Sequence, residues 1–198
     1  RYVENIVSRL AERYGNNPAV IGWQIDNEPG HYGVTDYSEN AQKRFRSWLK
    51  EKYGTIDNLN ETWGNTFWSE TYQTFDQVRM PSWQEPNPHA MLDLNQFVAD
   101  ESARFINFQA DVLRRNIRKE QWITTNLIPV FSCVDPIRMS HLDFTTYTRY
   151  LVTGHKMGIG PLGFRLGTPE DIGFPNDQFR NFAGNTYGVM ELQPGQVN

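Results

Sequence analysis

The stretch AVIGWQI, residues 19–25, limits the fold more than any other feature of the chain. Its apolar residues follow one another without the in-and-out alternation of a strand with one wet face, so it reads as a strand buried on both faces. Ahead of it, Val3, Ile6, Val7, Leu10 and Tyr14 recur at helical spacing, and Gly15 stands where a left-handed cap would end the helix. Helix, short turn and doubly buried strand are the grammar of α/β folds with a parallel sheet. The strand runs straight into DNEPG, which sets an amide and a carboxylate, Asn27 and Glu28, at its end.

Further along, Asp36 and Glu39 have the spacing of a capping box before a helix marked by Ala41, Phe45, Trp48 and Leu49, with Gly54 as its stop. Residues 55–75 mix short helical turns with aromatics, and MPSWQEPNPHAM, residues 80–91, is Pro-rich and reads as loop. Together they form a long excursion, a feature that in a compact domain is usually functional. Leu94, Phe97, Val98, Phe105, Phe108, Val112 and Ile117 then predict one long helix from Asp93 to about Glu120. WITTNLI and LDFTTYT read as strands, the Gly-rich residues 154–175 as a loop, NDQFRNF as a short helix and TYGVMEL as a last strand. A closed (β/α)₈ barrel needs eight strands and typically about 250 residues. Four strand candidates in 198 residues therefore describe either a small open parallel sheet or the middle of a barrel. The opening RYVENIVSRLAERYG already reads as mid-protein helix, which favours a piece of a longer enzyme.

Composition removes several classes of function. The net charge of −4 comes from acidic and basic residues mixed along the chain, so there is no basic stripe and no nucleic-acid partner is expected. No run of about eighteen apolar residues exists, so no membrane partner is expected either, and the chain reads as soluble. Cys133 stands alone, which rules out an intrachain disulfide and a cysteine-rich zinc site. His31, His89, His141 and His155 lack the spacing of metal ligands. The triplet Asn60-Glu61-Thr62 matches a glycosylation acceptor, and helix or turn formation explains it equally well. The aromatic share of 14 % serves a core or surfaces that stack on flat apolar faces such as sugar rings.

In a parallel barrel the C-terminal ends of the strands share one mouth, and chemistry sits there. Glu28 follows the first strand and Glu191 lies at the end of TYGVME, so both project to that mouth. A pair of carboxylates is what glycoside hydrolysis requires, one to protonate the leaving oxygen and one to attack or to activate water. The alternative is that either acid is a solvated loop residue. Asn27 beside Glu28 can hydrogen-bond a sugar hydroxyl next to the reacting carbon. Asp26 points to the opposite side of the strand and reads as a structural acid. His31 lies within reach of the site rim. Trp63, Phe67, Trp68 and Tyr72 form either a core-packed helix face or, for one of them, part of the site.

NPAVIGWQIDNEPGH, FRSWLKEKYGTIDNLNETWGNTFWSETY, LDF and MELQPGQVN together resemble the β-galactosidases of glycoside hydrolase family 42, and the likeness runs through nearly the whole chain. The resemblance implies an α/β fold that is a partial (β/α)₈ TIM barrel, roughly strands four to seven with their helices and long loops. Residues 1–198 would be a single segment of the catalytic domain, with the remaining strands and further domains outside this chain. It implies Glu28 as general acid/base and Glu191 as nucleophile of a retaining mechanism, whose two carboxyls stand about 5 to 5.5 Å apart. It also implies Asn27, Trp68 and Tyr150 as substrate-binding residues.

Around Tyr150 the family usually reads like Asp-x-Tyr-Pro, whereas this chain has Thr148, Arg149, Tyr150 and Leu151. Some members hold a structural zinc on cysteines after the acid/base motif. HYGVTDYSEN has no Cys, so no zinc is expected, and the chemistry needs neither metal nor organic cofactor. The expected partner is a galactoside or oligosaccharide substrate, and the full-length protein is expected to be a homotrimer of the bacterial cytoplasm or periplasm. The segment alone is expected to be inactive, since family members draw an Arg and other sugar contacts from elsewhere in the barrel. A related glycosidase acting on a β-glucoside, xyloside or arabinopyranoside, and a carbohydrate-binding segment without turnover, are the alternatives.

Overall fold

Each of the four segments read as strands forms one: β1 (Gly22–Asn27), β2 (Trp122–Leu127), β3 (Thr145–Arg149) and, after the two-residue strands β4 (Val152–Thr153) and β5 (Arg165–Leu166), β6 (Tyr187–Leu192). In the computed structural model β1, β2, β3 and β6 lie side by side in that order, every neighbouring pair parallel, while β4 and β5 make a separate antiparallel pair. The helices are α1 (Tyr2–Tyr14), α2 (Glu39–Tyr53), α3 (Ile56–Trp63), α4 (Pro88–Arg114) and α5 (Pro169–Phe182). The structure describes residues 1–30, 35–82, 84–128, 134–150, 152–153, 165–166, 169–182, 184 and 186–192. His31, Cys133, His155 and most of the Gly-rich segment lie outside them. Among the described residues no helix is long and apolar enough to cross a membrane.

The chain forms two compact units, residues 1–33 with 102–198, and residues 34–101. In the first, Ile25, Ile123, Leu127 and Tyr147 on one face of the sheet pack with Ala11 of α1, Ala103, Ile106, Ala110 and Leu113 of α4, and Phe179 of α5. The Tyr147 and Phe179 rings stack at 4.6 Å. The period of two sends Thr124, Asn126, Thr146 and Thr148 to the opposite face, where they too are buried. That face is polar, so these strands are not apolar on both sides as the first strand motif implied. In β1 only Ile25 is buried, and Gln24 is exposed.

The polar face is concave. Asn126 on β2 bonds directly to Glu191 on β6 at 2.8 Å, across the intervening β3. In a flat sheet strands two apart lie about 9 to 10 Å from each other, so the sheet curls toward this face, as barrel closure requires.

Several helix ends differ from their sequence signatures for local reasons. Gly15 is right-handed, φ −59° and ψ −30°, not left-handed. A Cβ there would stand 2.2 Å from the Asn116 carbonyl oxygen and 2.5 Å from that of Ala11, so close approach rather than handedness requires glycine. The cap of α2 is Ser38, whose hydroxyl accepts the Ala41 N–H at 3.3 Å, while Asp36 holds Ser38 itself. Gly54 stops the helix at φ 74° as expected. α4 starts inside the Pro-rich stretch read as loop, because Asn87 caps it by accepting the N–H groups of His89 and Ala90 and Pro88 fits the first turn. It ends at Arg114 rather than near Glu120. α5 likewise begins at Pro169, and it continues through Gly173 and Pro175, with Phe179 anchored against Tyr147.

In the second unit, α2, α3 and the Pro88–Glu101 part of α4 enclose Phe45, Leu49, Leu59, Val78, Leu94 and Phe97. Asp93 is 2 % exposed and ties this core together. Its carboxylate takes the Lys52 ammonium at 2.6 Å, the Tyr53 hydroxyl at 2.7 Å and the Trp63 indole N–H at 2.9 Å. Burial, then the bond to Asp93, pushes the Tyr53 hydroxyl up to about 12. Asp93→Ala would strip three donors of one acceptor, and we expect it to destabilise the protein by about 3 to 5 kcal/mol, read as a fall in the denaturant midpoint. Asn60 is also buried: its amide nitrogen donates to the Tyr72 carbonyl at 2.7 Å, and its oxygen accepts the Tyr72 N–H and the Asn65 amide. The glycosylation-like triplet is therefore a turn-holding element.

Candidate active site

The end of β1 is irregular. The pairing with β2 slips between Gln24 and Asn27, and Asp26 and Glu28 both have left-handed backbones, φ 53° and 49°. Asp tolerates that region; for Glu it is uncommon and needs an external hold. The hold is a hydrogen bond from the Glu28 N–H to the Asn126 carbonyl oxygen, 2.9 Å. The slip turns Asp26 toward α4, where its carboxylate accepts the Gln109 amide at 2.7 Å. Asn27 is returned to the polar face beside Gln24.

Asn27 Oδ1 accepts two donors, Gln24 Nε2 at 3.3 Å and Asn126 Nδ2 at 3.0 Å. Its own amide N–H groups have no protein partner among the described residues, and Asn27 is exposed, so they are available to an oxygen of a bound molecule.

Glu191 enters from β6, where it pairs in register with Thr148 of β3. It is half-buried and held at both oxygens. Oε1 accepts Asn126 Nδ2 at 2.8 Å, and Oε2 accepts the Tyr150 hydroxyl at 2.5 Å. The bond to Glu191 is the main reason the Tyr150 hydroxyl is pushed above its ordinary range; desolvation and the negative charges of Glu191 and Glu28 act in the same direction. A carboxylate fixed by two donors and still accessible is arranged to use its charge on a third group.

One residue absent from the sequence reading joins these parts. Asn126, fully buried, receives the Thr148 hydroxyl on Oδ1 at 2.7 Å while its nitrogen serves Asn27 and Glu191. The signal lay in TTN, a run of three polar residues inside the otherwise apolar WITTNLI. Thr124 and Asn126, two residues apart in that run, are the pair that strand alternation places together on the polar face.

Asn27, Glu28, Tyr150 and Glu191 thus meet at the C-terminal end of one sheet, Glu28 through its backbone. Trp68 belongs to the second unit. It is 73 % exposed, left-handed at φ 54°, and packed on Phe67 at 4.8 Å. With Phe67, Glu70, Pro86 and His89 it borders a cleft of about 340 Å³. Of the four aromatics in this region, Trp63 belongs to the core, Tyr72 packs against it, and Phe67 and Trp68 are displayed.

The family model for glycoside hydrolase family 42, described as Beta-galactosidase, matches residues 1–198. The β-galactosidase BgaA of a Thermus species is 38 % identical over 212 residues, covering 98 % of this chain and 31 % of that protein. The crystal structure of a β-galactosidase from the psychrophilic Marinomonas ef1 superposes with a TM-score of 0.86 at 34 % identity, covering 97 % of this chain and 31 % of its own. The β-galactosidase of the Antarctic haloarchaeon Halorubrum lacusprofundi gives 0.86 at 35 %, covering 98 % and 30 %. The chain spans 31 % of the length of the two Thermus β-galactosidases it matches. Its curled parallel sheet is part of a (β/α)₈ barrel, and the chain belongs to glycoside hydrolase family 42, the β-galactosidases.

Proposed function

We propose that this chain supplies both reacting carboxylates of a retaining β-galactosidase, with Glu191 as nucleophile and Glu28 as acid/base, and that residues 1–198 act as one segment of that catalytic domain. The observation that carries the reading is the grip on Glu191. Donors from β2 and from the residue after β3 hold its two oxygens at the strand end where Glu28 also sits. In this mechanism a Glu191 oxygen attacks the anomeric carbon as the bond to the leaving oxygen breaks, and Glu28 gives that oxygen a proton. Glu28 then takes a proton from water, which displaces Glu191 and restores both groups. The Asn27 amide donates to a sugar hydroxyl beside the reacting carbon, and the Tyr150 hydroxyl steadies the attacking carboxylate. No cofactor takes part in any of these steps.

The test is the stereochemistry of the first product. Proton NMR of an aryl β-galactoside during hydrolysis by the intact protein should show β-galactose before mutarotation produces the α anomer. If α-galactose came first, the two acids would belong to an inverting enzyme.

A further inference from the structure

We propose that Asn126 is the positioning residue of the site, and that its single amide sets both the rotamer of Glu191 and the direction in which Asn27 presents its donors. The inference rests on the proposed roles of Glu28 and Glu191, and it assigns a duty to a residue that touches neither the sugar nor the leaving group.

The argument is one of donors and acceptors. An ionised carboxylate can only accept, so the edge of Asn126 that meets Glu191 Oε1 at 2.8 Å must be its NH₂. Its oxygen is then left for the Thr148 hydroxyl at 2.7 Å, which completes the fixing from the other side. The same NH₂ points at Asn27 at 3.0 Å, so Asn27 must answer with its oxygen. Gln24 reinforces that choice with a second donor at 3.3 Å. Asn27 consequently turns its own NH₂ outward. The charge on the nucleophile thus orients the amide offered to substrate, through one fully buried side chain. The Asn126 backbone adds a third link by accepting the Glu28 N–H at 2.9 Å and holding that residue in its left-handed conformation. Nucleophile, acid/base and sugar-binding amide hang on one residue of β2, which fixes their spacing without occupying the site. Buried polar groups of this kind, fully satisfied, specify geometry more than they add stability.

The experiment compares Thr148→Val, Thr148→Ser and Asn126→Asp in the intact protein, using pre-steady-state release of the phenol from an activated aryl galactoside. Thr148→Val keeps the shape and removes the hydroxyl that fixes the amide. We expect glycosylation to slow by roughly 10-fold with KM within about twofold of the parent, the size of one hydrogen bond. Thr148→Ser keeps the hydroxyl and should run near the parent rate. A purely structural role would reverse that order, since Ser leaves a methyl-sized void and Val does not. Asn126→Asp replaces the NH₂ by an acceptor facing two acceptors and should slow glycosylation by about 10²-fold or more. If Glu191→Gln abolishes glycosylation while Thr148→Val and Asn126→Asp react at the parent rate, the inference on Asn126 is wrong and the catalytic reading stands. If Glu191→Gln still forms the intermediate, the catalytic reading itself fails.

Discussion

Glu191→Gln is expected to abolish turnover of every galactoside, alkyl or aryl, by at least about 10⁴-fold, with no burst of phenol from even the most activated substrate. The amide has the size of the carboxyl and can keep one oxygen toward the Asn126 NH₂, so the fold should be retained. What disappears is the negative charge and the in-plane lone pair that forms the glycosyl ester. Leaving-group activation cannot compensate, because no bond can form at the anomeric carbon from the protein side. The check combines stopped-flow release of phenol with mass spectrometry of the denatured protein, where the parent carries a galactosyl adduct on the peptide containing Glu191. An adduct on the Gln variant would mean that another group attacks.

The strands were legible because each is a short run rich in apolar, β-branched or aromatic residues, and their parallel order follows from the helices or long connections that separate them. The two acids were legible because DNEPG and MELQPG each follow such a run. Asn126 was not legible. Its role depends on the curl that brings β2 against β6, a long-range property with no local signature beyond the polar TTN. Asp26 shows the reverse case: strand alternation alone separates it from Asn27, and the left-handed bulge that carries it to Gln109 keeps that separation. The starts of α4 and α5 were hidden because Pro88, Gly173 and Pro175 read as breakers, whereas a cap at Asn87 and the packing of Phe179 override that preference. The two faces of Trp63 and Trp68 could not be separated by spacing either, since the local turn at Trp68 and Ser69, both left-handed, decides which ring is displayed.

Glu28→Ala should give a different defect, which distinguishes the two acids. Without the proton donor, substrates whose leaving groups are poor should lose about 10² to 10⁴ in kcat/KM, while an activated aryl galactoside should still glycosylate Glu191 at a rate near the parent's. Hydrolysis of the resulting ester then lacks its base. A burst of phenol should therefore be followed by slow turnover, with the galactosyl adduct accumulating and KM falling. Removal of this side chain also opens room beside the anomeric carbon for a small anion. Azide needs no deprotonation, so it should restore turnover of the accumulated ester.

The stereochemistry of that rescue tests the assignment of the two acids most directly. Azide reacting in Glu28→Ala displaces Glu191 from the face the leaving group vacated, so NMR of the product should show β-galactosyl azide. In Glu191→Gly azide takes the place of the nucleophile itself and attacks the intact β-galactoside from the opposite face, so the product should be the α azide. An α azide from Glu28→Ala together with a β azide from Glu191→Gly would contradict the account and exchange the roles of Glu28 and Glu191.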